Sequence, residues 1–340
     1  MNKDIHTFAE ELKKNLSRVT DVSAGISPLG PSGRVKAAIR KAAKDIDLYA
    51  DQECRRLKTY FTSKFGIPPD CIFFANSLDE LIFRCTVAFK PAAVRSPGAY
   101  QIIGQSMGQS IGHQSIDQSM GILNPGDLLI LSNPNRITGK LLDRQGIADM
   151  VKTAGGPNTP DAVILLDESL IEFTNDDSFF EAAGISSNLI VLRTTANFYA
   201  LPGLELAYAI SSPQTIARLK GISYPGLNQL AIEAARTALK DKTYIKATRN
   251  FIRDERRELF SCLRKISGLT VFDSDANVFL IKVGSDREKV VGRLNRAGFL
   301  IRDCGDIEGL DNTYLRMSVM SRDKNKKLVR ILKEALAGTS

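Results

Sequence analysis

The 340-residue chain has no tryptophan and only two histidines, His6 and His113. Two histidines cannot build a three-histidine metal site, and without a third partner nearby neither fits a histidine-based triad. No metal site is therefore expected. The five cysteines (Cys54, Cys71, Cys85, Cys262 and Cys304) are scattered and form no C-x-x-C pair. An odd, dispersed set reads as reduced thiols in a cytosolic protein. No segment reaches the roughly 18 uncharged apolar residues that a membrane helix needs. The N-terminal MNKDIHTFAEELKKNL is polar and amphipathic and has no apolar stretch, so it does not read as a signal peptide. A Pro/Gly-rich interdomain linker and a fold-scale repeat are also missing. These absences set the expectation of a cytoplasmic globular protein.

Hydrophobic residues make up 43% of the chain and charged residues 25%, enough for a sizeable core in two domains. Lys and Arg total 46 against 38 acidic residues, a net charge of +8. The surplus is spread over pairs such as Lys13-Lys14, Arg55-Arg56 and Arg256-Arg257, with no interleaved aromatics. It reads as solvated surface, and nucleic acid is not an expected partner.

Apolar spacing predicts helices over 1–20, 33–48 and 52–65, then a buried strand at Cys71–Phe74. Strands are expected at 128–131, 162–166, 189–192 and 207–210, with a helix at 147–153 between the first two. Continuous apolar strands alternating with helices imply a mostly parallel sheet covered on both faces. One long helix is expected over about 228–265, followed by a compact α+β module with a last helix at 324–336. The expected division is an N-terminal arm (1–30) joined to the small domain, a large domain (31–240) and a small C-terminal domain (241–340). Residues 104–121, GQSMGQSIGHQSIDQSMG, repeat Gln-Ser at 105, 109, 114 and 118. Their glycines each cost a helix about 1 kcal/mol, so a loop or weak helix is expected. A glutamine-serine binding face is the alternative.

Segments in a consistent order carry a resemblance. They include SAGISPLGPS (23–32), LYADQECRRL (48–57), ANSLDELI (75–82), NPNRITG (133–139), LLDESLIEF (165–173), LRTTANFYALPGLELAY (192–208) and YLRMSV (314–319). The chain resembles the fold-type-I pyridoxal-phosphate enzymes of the class I/II aminotransferase superfamily. It is most similar to threonine-phosphate decarboxylases of cobalamin synthesis and to histidinol-phosphate aminotransferases. The fold implied is α/β: a mixed, mostly parallel sheet in a large domain, with a smaller C-terminal α+β domain.

By this resemblance Asp167 matches the carboxylate that holds the pyridine nitrogen protonated, making the ring an electron sink. Arg316 matches the arginine that grips the substrate carboxylate. Tyr49 matches a tyrosine that reaches the cofactor phosphate of a neighbouring subunit, and Thr194 a phosphate-binding serine.

Other positions depart from the pattern. The Schiff-base lysine is Asn197, whose carboxamide cannot condense with an aldehyde. The arginine eight residues later is Glu205, an anion where a phosphate-binding cation is usual. At about 4 Å and an effective dielectric near 20, unit charges interact by roughly 4 kcal/mol, so this reversal implies repulsion of a phosphate. A phosphate-loop serine is Leu78, the asparagine at the ring hydroxyl is Arg136, and the aromatic after Asp-Glu-Ala is Leu170. The stacking aromatic falls at Ala99, beside Tyr100. Lys140 and Lys220 lie near these motifs in sequence, with no reason to reach an aldehyde.

The expectation is a catalytically degenerate homologue with no catalytic residue at position 197. Asp167, Tyr49 and Thr194 are vestigial cofactor positions, and Arg316 and Arg136 form an anion-binding pair. It would be a binding or regulatory protein without covalent cofactor, although non-covalent pyridoxal phosphate stays open. The alternative is an active aminotransferase or amino-acid-phosphate decarboxylase with altered chemistry in the same cleft. The expected assembly is a homodimer, or a heterodimer with an active paralogue. The expected ligand is a small anion.

Overall fold

The structure, a computed structural model, describes residues 4–96, 111–112, 123–158, 160–223, 226–307 and 309–337. The Gln-Ser segment, apart from the backbone of Ile111–Gly112, and the Ala99-Tyr100 pair lie outside the described residues.

The strands of the first part of the chain are β1 (Thr20–Asp21), β2 (Ile72–Ala75), β3 (Ala93–Arg95), β4 (Ile111–Gly112), β5 (Asp127–Ser132), β6 (Val163–Asp167), β7 (Leu189–Thr194) and β8 (Ala207–Ile210). Seven of them form one sheet in the order β2-β8-β7-β6-β5-β3-β4. The pairs from β7 to β4 are parallel, while β8 runs against both its neighbours. The fold is thus α/β with a mixed, mostly parallel sheet.

Side-chain alternation explains why the strands read as unbroken apolar runs. On β6, Ile164 and Leu166 enter one core, and Val163 and Leu165 enter the other. Helix Leu78–Phe89 packs its apolar face into the second core, where Leu81, Ile82 and Cys85 are fully buried.

Four helices differ from expectation. The one expected over 33–48 spans Gly33–Ala42 and passes into a 3-10 turn at Ala43–Asp45. The one expected from residue 52 begins at Arg55, because Cys54 adopts left-handed backbone (φ 48°). The long helix over 228–265 is two helices, Gln229–Ala238 and Lys242–Leu263. Asp241 restarts the chain by accepting from the Tyr244 amide at 3.1 Å. The apolar periodicity continues across this break, which hides it in the sequence. At the N-terminus, where residues 1–20 read as a helix, a short helix (Ile5–Glu11) and a 3-10 turn (Leu16–Arg18) are found.

The later strands are β9 (Thr270–Val271), β10 (Val278–Lys282), β11 (Phe299–Leu300), β12 (Arg302–Asp303) and β13 (Tyr314–Ser318). An antiparallel sheet runs β12-β13-β10-β9, with helices Arg287–Arg296 and Arg322–Leu336 beside it. Strand β1 pairs in parallel with β11, so the N-terminal arm adds to the C-terminal module.

Candidate functional site

Parallel strands β5, β6 and β7 end side by side, with Ser132 in register with Asp167. The carboxyl ends of parallel strands are where open α/β sheets bind ligands. Asp167 ends β6 and is 1% exposed. Its Oδ1 accepts from the Ser169 amide at 2.8 Å, and its Oδ2 from Ser132 Oγ at 3.3 Å. Arg136 Nη1 lies 3.7 Å from the same Oδ2.

Arg136 is aimed by the loop after β5. Asn135 Oδ1 accepts from the amides of Ile137 (2.9 Å) and Thr138 (3.0 Å), fixing the turn. The loop closes at Gly139 (φ 74°). A Cβ there would run into Ser274 and stand 2.7 Å from the Val278 carbonyl oxygen, so only glycine lets the loop touch the C-terminal module.

Asn197 is 7% exposed. Its Nδ2 donates to the carbonyls of Ala24 (3.3 Å) and Gly25 (3.2 Å), and its own carbonyl accepts from the Ser27 amide at 2.9 Å. Asn277 Nδ2 also donates to Gly25 O, at 2.8 Å. The carboxamide at 197 thus binds the N-terminal loop to the strand ends.

Arg316, on β13, enters from the other side. Its Nη1 donates to Arg136 O at 2.8 Å and its Nη2 to Ser23 O, while its Nε is buried without an acceptor. Burial, and then the Arg136 charge, push its pKa down to about 10. A half-buried cation whose described hydrogen bonds go to backbone carbonyls has capacity for an anion.

Thr194 ends β7, and its hydroxyl donates to Glu205 Oε1 at 2.6 Å. The same oxygen accepts from the amide of Leu78, the first residue of helix Leu78–Phe89, at 3.1 Å. Burial raises the Glu205 pKa, and these two bonds pull it back. Arg136 also lies close enough to favour the Glu205 carboxylate. The Leu78 backbone supplies a donor that its side chain cannot, and Glu205 is the acceptor.

Asp167, Arg136, Arg316, Thr194 and Asn197 therefore converge on the ends of β5–β7. Tyr49 stands apart, fully exposed at a surface crevice with Arg55, Arg56 and Arg236. Lys140 pairs with Asp273 (2.9 Å) and Asp275 (3.1 Å), and Lys220 with Glu53 (3.4 Å). Neither pairing is with a cleft carboxylate.

A buried network went unread in the sequence. Arg193 Nη2 lies 3.0 Å from Glu168 Oε2, and its Nη1 lies 3.4 Å from Glu172 Oε1. Tyr199 donates to Glu172 Oε1 at 3.3 Å. Burial works against the Arg193 charge, but the two carboxylates outweigh it and hold its pKa above the ordinary value. Burial raises the Glu172 pKa. Glu168 follows Asp167 and Arg193 precedes Thr194, so this network clamps the two strand ends that bear the site. The adjacent Asp-Glu and Arg-Thr pairs were the available signal.

The family model described as "Aminotransferase class I and II" matches residues 76–332. The chain belongs to this aminotransferase family. Among its relatives is a threonine-phosphate decarboxylase of Salmonella typhimurium, 30% identical over 98% of this chain and 96% of the relative. Another is histidinol-phosphate aminotransferase 2 of Archaeoglobus fulgidus, 30% identical over 93% of each. The crystal structure of the histidinol-phosphate aminotransferase from Clostridium acetobutylicum superposes with a TM-score of 0.83 at 27% identity, covering 93% of this chain and 98% of that one. The enzyme of that name from Sinorhizobium meliloti, solved in complex with pyridoxal-5'-phosphate, shares the fold with a TM-score of 0.86 at 22% identity, covering 100% of this chain and 96% of that one. Among the described residues no helix is long and apolar enough to cross a membrane.

Proposed function

We propose that this aminotransferase-family member is a binding or regulatory protein that takes a small carboxylate-bearing anion in the cleft and forms no Schiff base with pyridoxal phosphate. The observation that carries the reading is Asn197. It stands at the position matching the lysine, and its amide nitrogen is committed to the Ala24 and Gly25 carbonyls. A carboxamide nitrogen is not a nucleophilic amine and cannot condense with an aldehyde.

The surrounding residues do not fit the cofactor either. Its phosphate would meet the Glu205 carboxylate at the start of helix Leu78–Phe89, and its ring nitrogen would compete with Arg136 for Asp167. No catalytic step through the cofactor is derived. The site offers Arg316, half-buried, with a buried Nε lacking an acceptor, and Arg136, whose carbonyl it bonds. Two guanidinium groups suit a planar carboxylate, and a charge-assisted pair at such a site adds about 1.5–3 kcal/mol per bond.

The second reading is an active aminotransferase or amino-acid-phosphate decarboxylase, which the names and full-length coverage of the relatives support. One experiment separates the two. The purified protein is mixed with pyridoxal phosphate, treated with borohydride and analysed by mass spectrometry, and threonine phosphate and histidinol phosphate are assayed in parallel. No pyridoxyl adduct and no turnover are expected; either signal establishes the enzyme.

We further propose a cytoplasmic homodimer, with a heterodimer with an active paralogue as the other assembly. The exposed Ile46, Leu48 and Tyr49 support an interface there.

A further inference from the structure

We infer that Glu205 is a built-in anion plug: its carboxylate fills the donor nest at the start of helix Leu78–Phe89, so the cleft rejects ligands carrying a phosphate at that end and selects carboxylates held by Arg316. This deepens the proposed reading and rests on it.

The argument starts from the helix. A twelve-residue helix presents unpaired amides and a positive dipole end at its N-terminus, which together attract an anion. Here part of the first turn is satisfied from within. Ser77 Oγ accepts from the Glu80 amide at 3.1 Å, and Glu80 Oε2 accepts from the Asn76 amide at 2.9 Å. Glu205 Oε1 takes the Leu78 amide, together with the Thr194 hydroxyl, and sets its charge at the helix start. One carboxylate oxygen thus joins the helix start to the end of β7. Glu205 reaches this position from the loop before β8, 127 residues away in sequence from its amide partner.

The plug also balances charge. Arg136 lies between Asp167 and Glu205, with its Nη1 3.7 Å from Asp167 and its field favouring the Glu205 carboxylate. Asp79, in the first turn of the helix, works against any further anion there. A phosphate entering the nest would lose the Leu78 and Thr194 donors to Glu205 and would face two carboxylates. Arg316 retains an unfilled donor.

The test uses the full-length protein with inorganic phosphate as probe and thermal unfolding as readout. Wild type is expected to show no phosphate-dependent stabilisation. Glu205→Ala, which empties the nest, is expected to gain a saturable one. Glu205→Gln keeps the shape and removes only the charge. It is expected to gain a saturable phosphate-dependent stabilisation that wild type lacks, because the repelling charge is removed. This variant carries the test if the alanine variant does not fold. In Glu205→Ala, adding Thr194→Val should weaken the gain. Phosphate stabilisation of wild type equal to that of the variants, or no gain in either variant, would overturn the plug. These outcomes are separate from pyridoxyl adduct formation by wild type, which overturns the parent reading instead.

Discussion

Removing Arg193 is expected to cost more than any other single side-chain deletion near the site. Its guanidinium faces Glu168, which is 0% exposed, and Glu172, which is 5% exposed. At 3.0 and 3.4 Å and an effective dielectric near 20, each attraction is roughly 5 kcal/mol, partly offset by desolvation of all three groups. The net worth of the network is therefore modest, but breaking it is not. Arg193→Met leaves two buried carboxylates without their cation, and such a break costs about 3–5 kcal/mol. That is a large share of a typical stability of about 5–15 kcal/mol. The pH dependence follows from linkage. Burial already raises the Glu172 pKa against the pull of the Arg193 charge, and loss of the arginine drives it higher. An acid whose pKa is higher in the folded state binds more protons folded than unfolded, so stability falls as pH rises through that window. The Arg193→Met penalty should be smallest at about pH 5, near the ordinary glutamate range, and full by neutrality. Urea unfolding followed by circular dichroism across this range measures it. Adding Glu168→Gln should recover part of the loss, because one stranded charge disappears. A penalty below about 1 kcal/mol, or one that grows toward acid, would refute the reasoning.

Asn197→Lys alone should give no stoichiometric pyridoxyl adduct after borohydride treatment, because Glu205 still holds the phosphate end; Asn197→Lys with Glu205→Ser should give one, read by intact-mass spectrometry. Arg316→Met should weaken stabilisation by a small dicarboxylate such as malonate by on the order of tenfold or more, as expected for loss of a charge-assisted pair. Unliganded stability should change little, because a half-buried cation and its two carbonyl bonds leave together, and a thermal titration reads both effects. Leu48→Asp should shift the protein toward monomer in sedimentation, since burying a leucine contributes about 1.5–3 kcal/mol to an interface and an aspartate there reverses it. An unchanged mass distribution would remove the 46–49 segment from the interface.

The sheet was legible because its strands are buried on both faces. Val163–Leu166 reads as an apolar run, and alternate residues supply two cores. Breaks that depend on one polar side chain were not legible. Asp241 divides a helix whose apolar stripe carries on past it, and Cys54 starts a helix late through its own backbone angle. The site followed the same rule. Asp167 ends β6 and Arg316 lies on β13, both within segments that carry the resemblance. Glu205 and Arg136 were legible as departures but not as partners, because their contacts join residues distant in sequence: Leu78 with Glu205, and Arg136 with Asp167.

Under the proposed reading, an arginine at 136 and a glutamate at 205 each oppose cofactor binding. In space they are one change. Arg136 places a cation on Asp167, where a protonated ring would carry one, and Glu205 places an anion on the Leu78 amide and Thr194, where a phosphate would carry one. The site brings together Asp167 and Glu205 with Arg136 and Arg316. Under the proposed reading, either substitution alone would shift the balance of charge among these side chains. The two are therefore expected to be coupled. Arg136→Ala should destabilise the native protein far less in a Glu205→Gln background than in wild type, and a double-mutant cycle with additive effects would separate them.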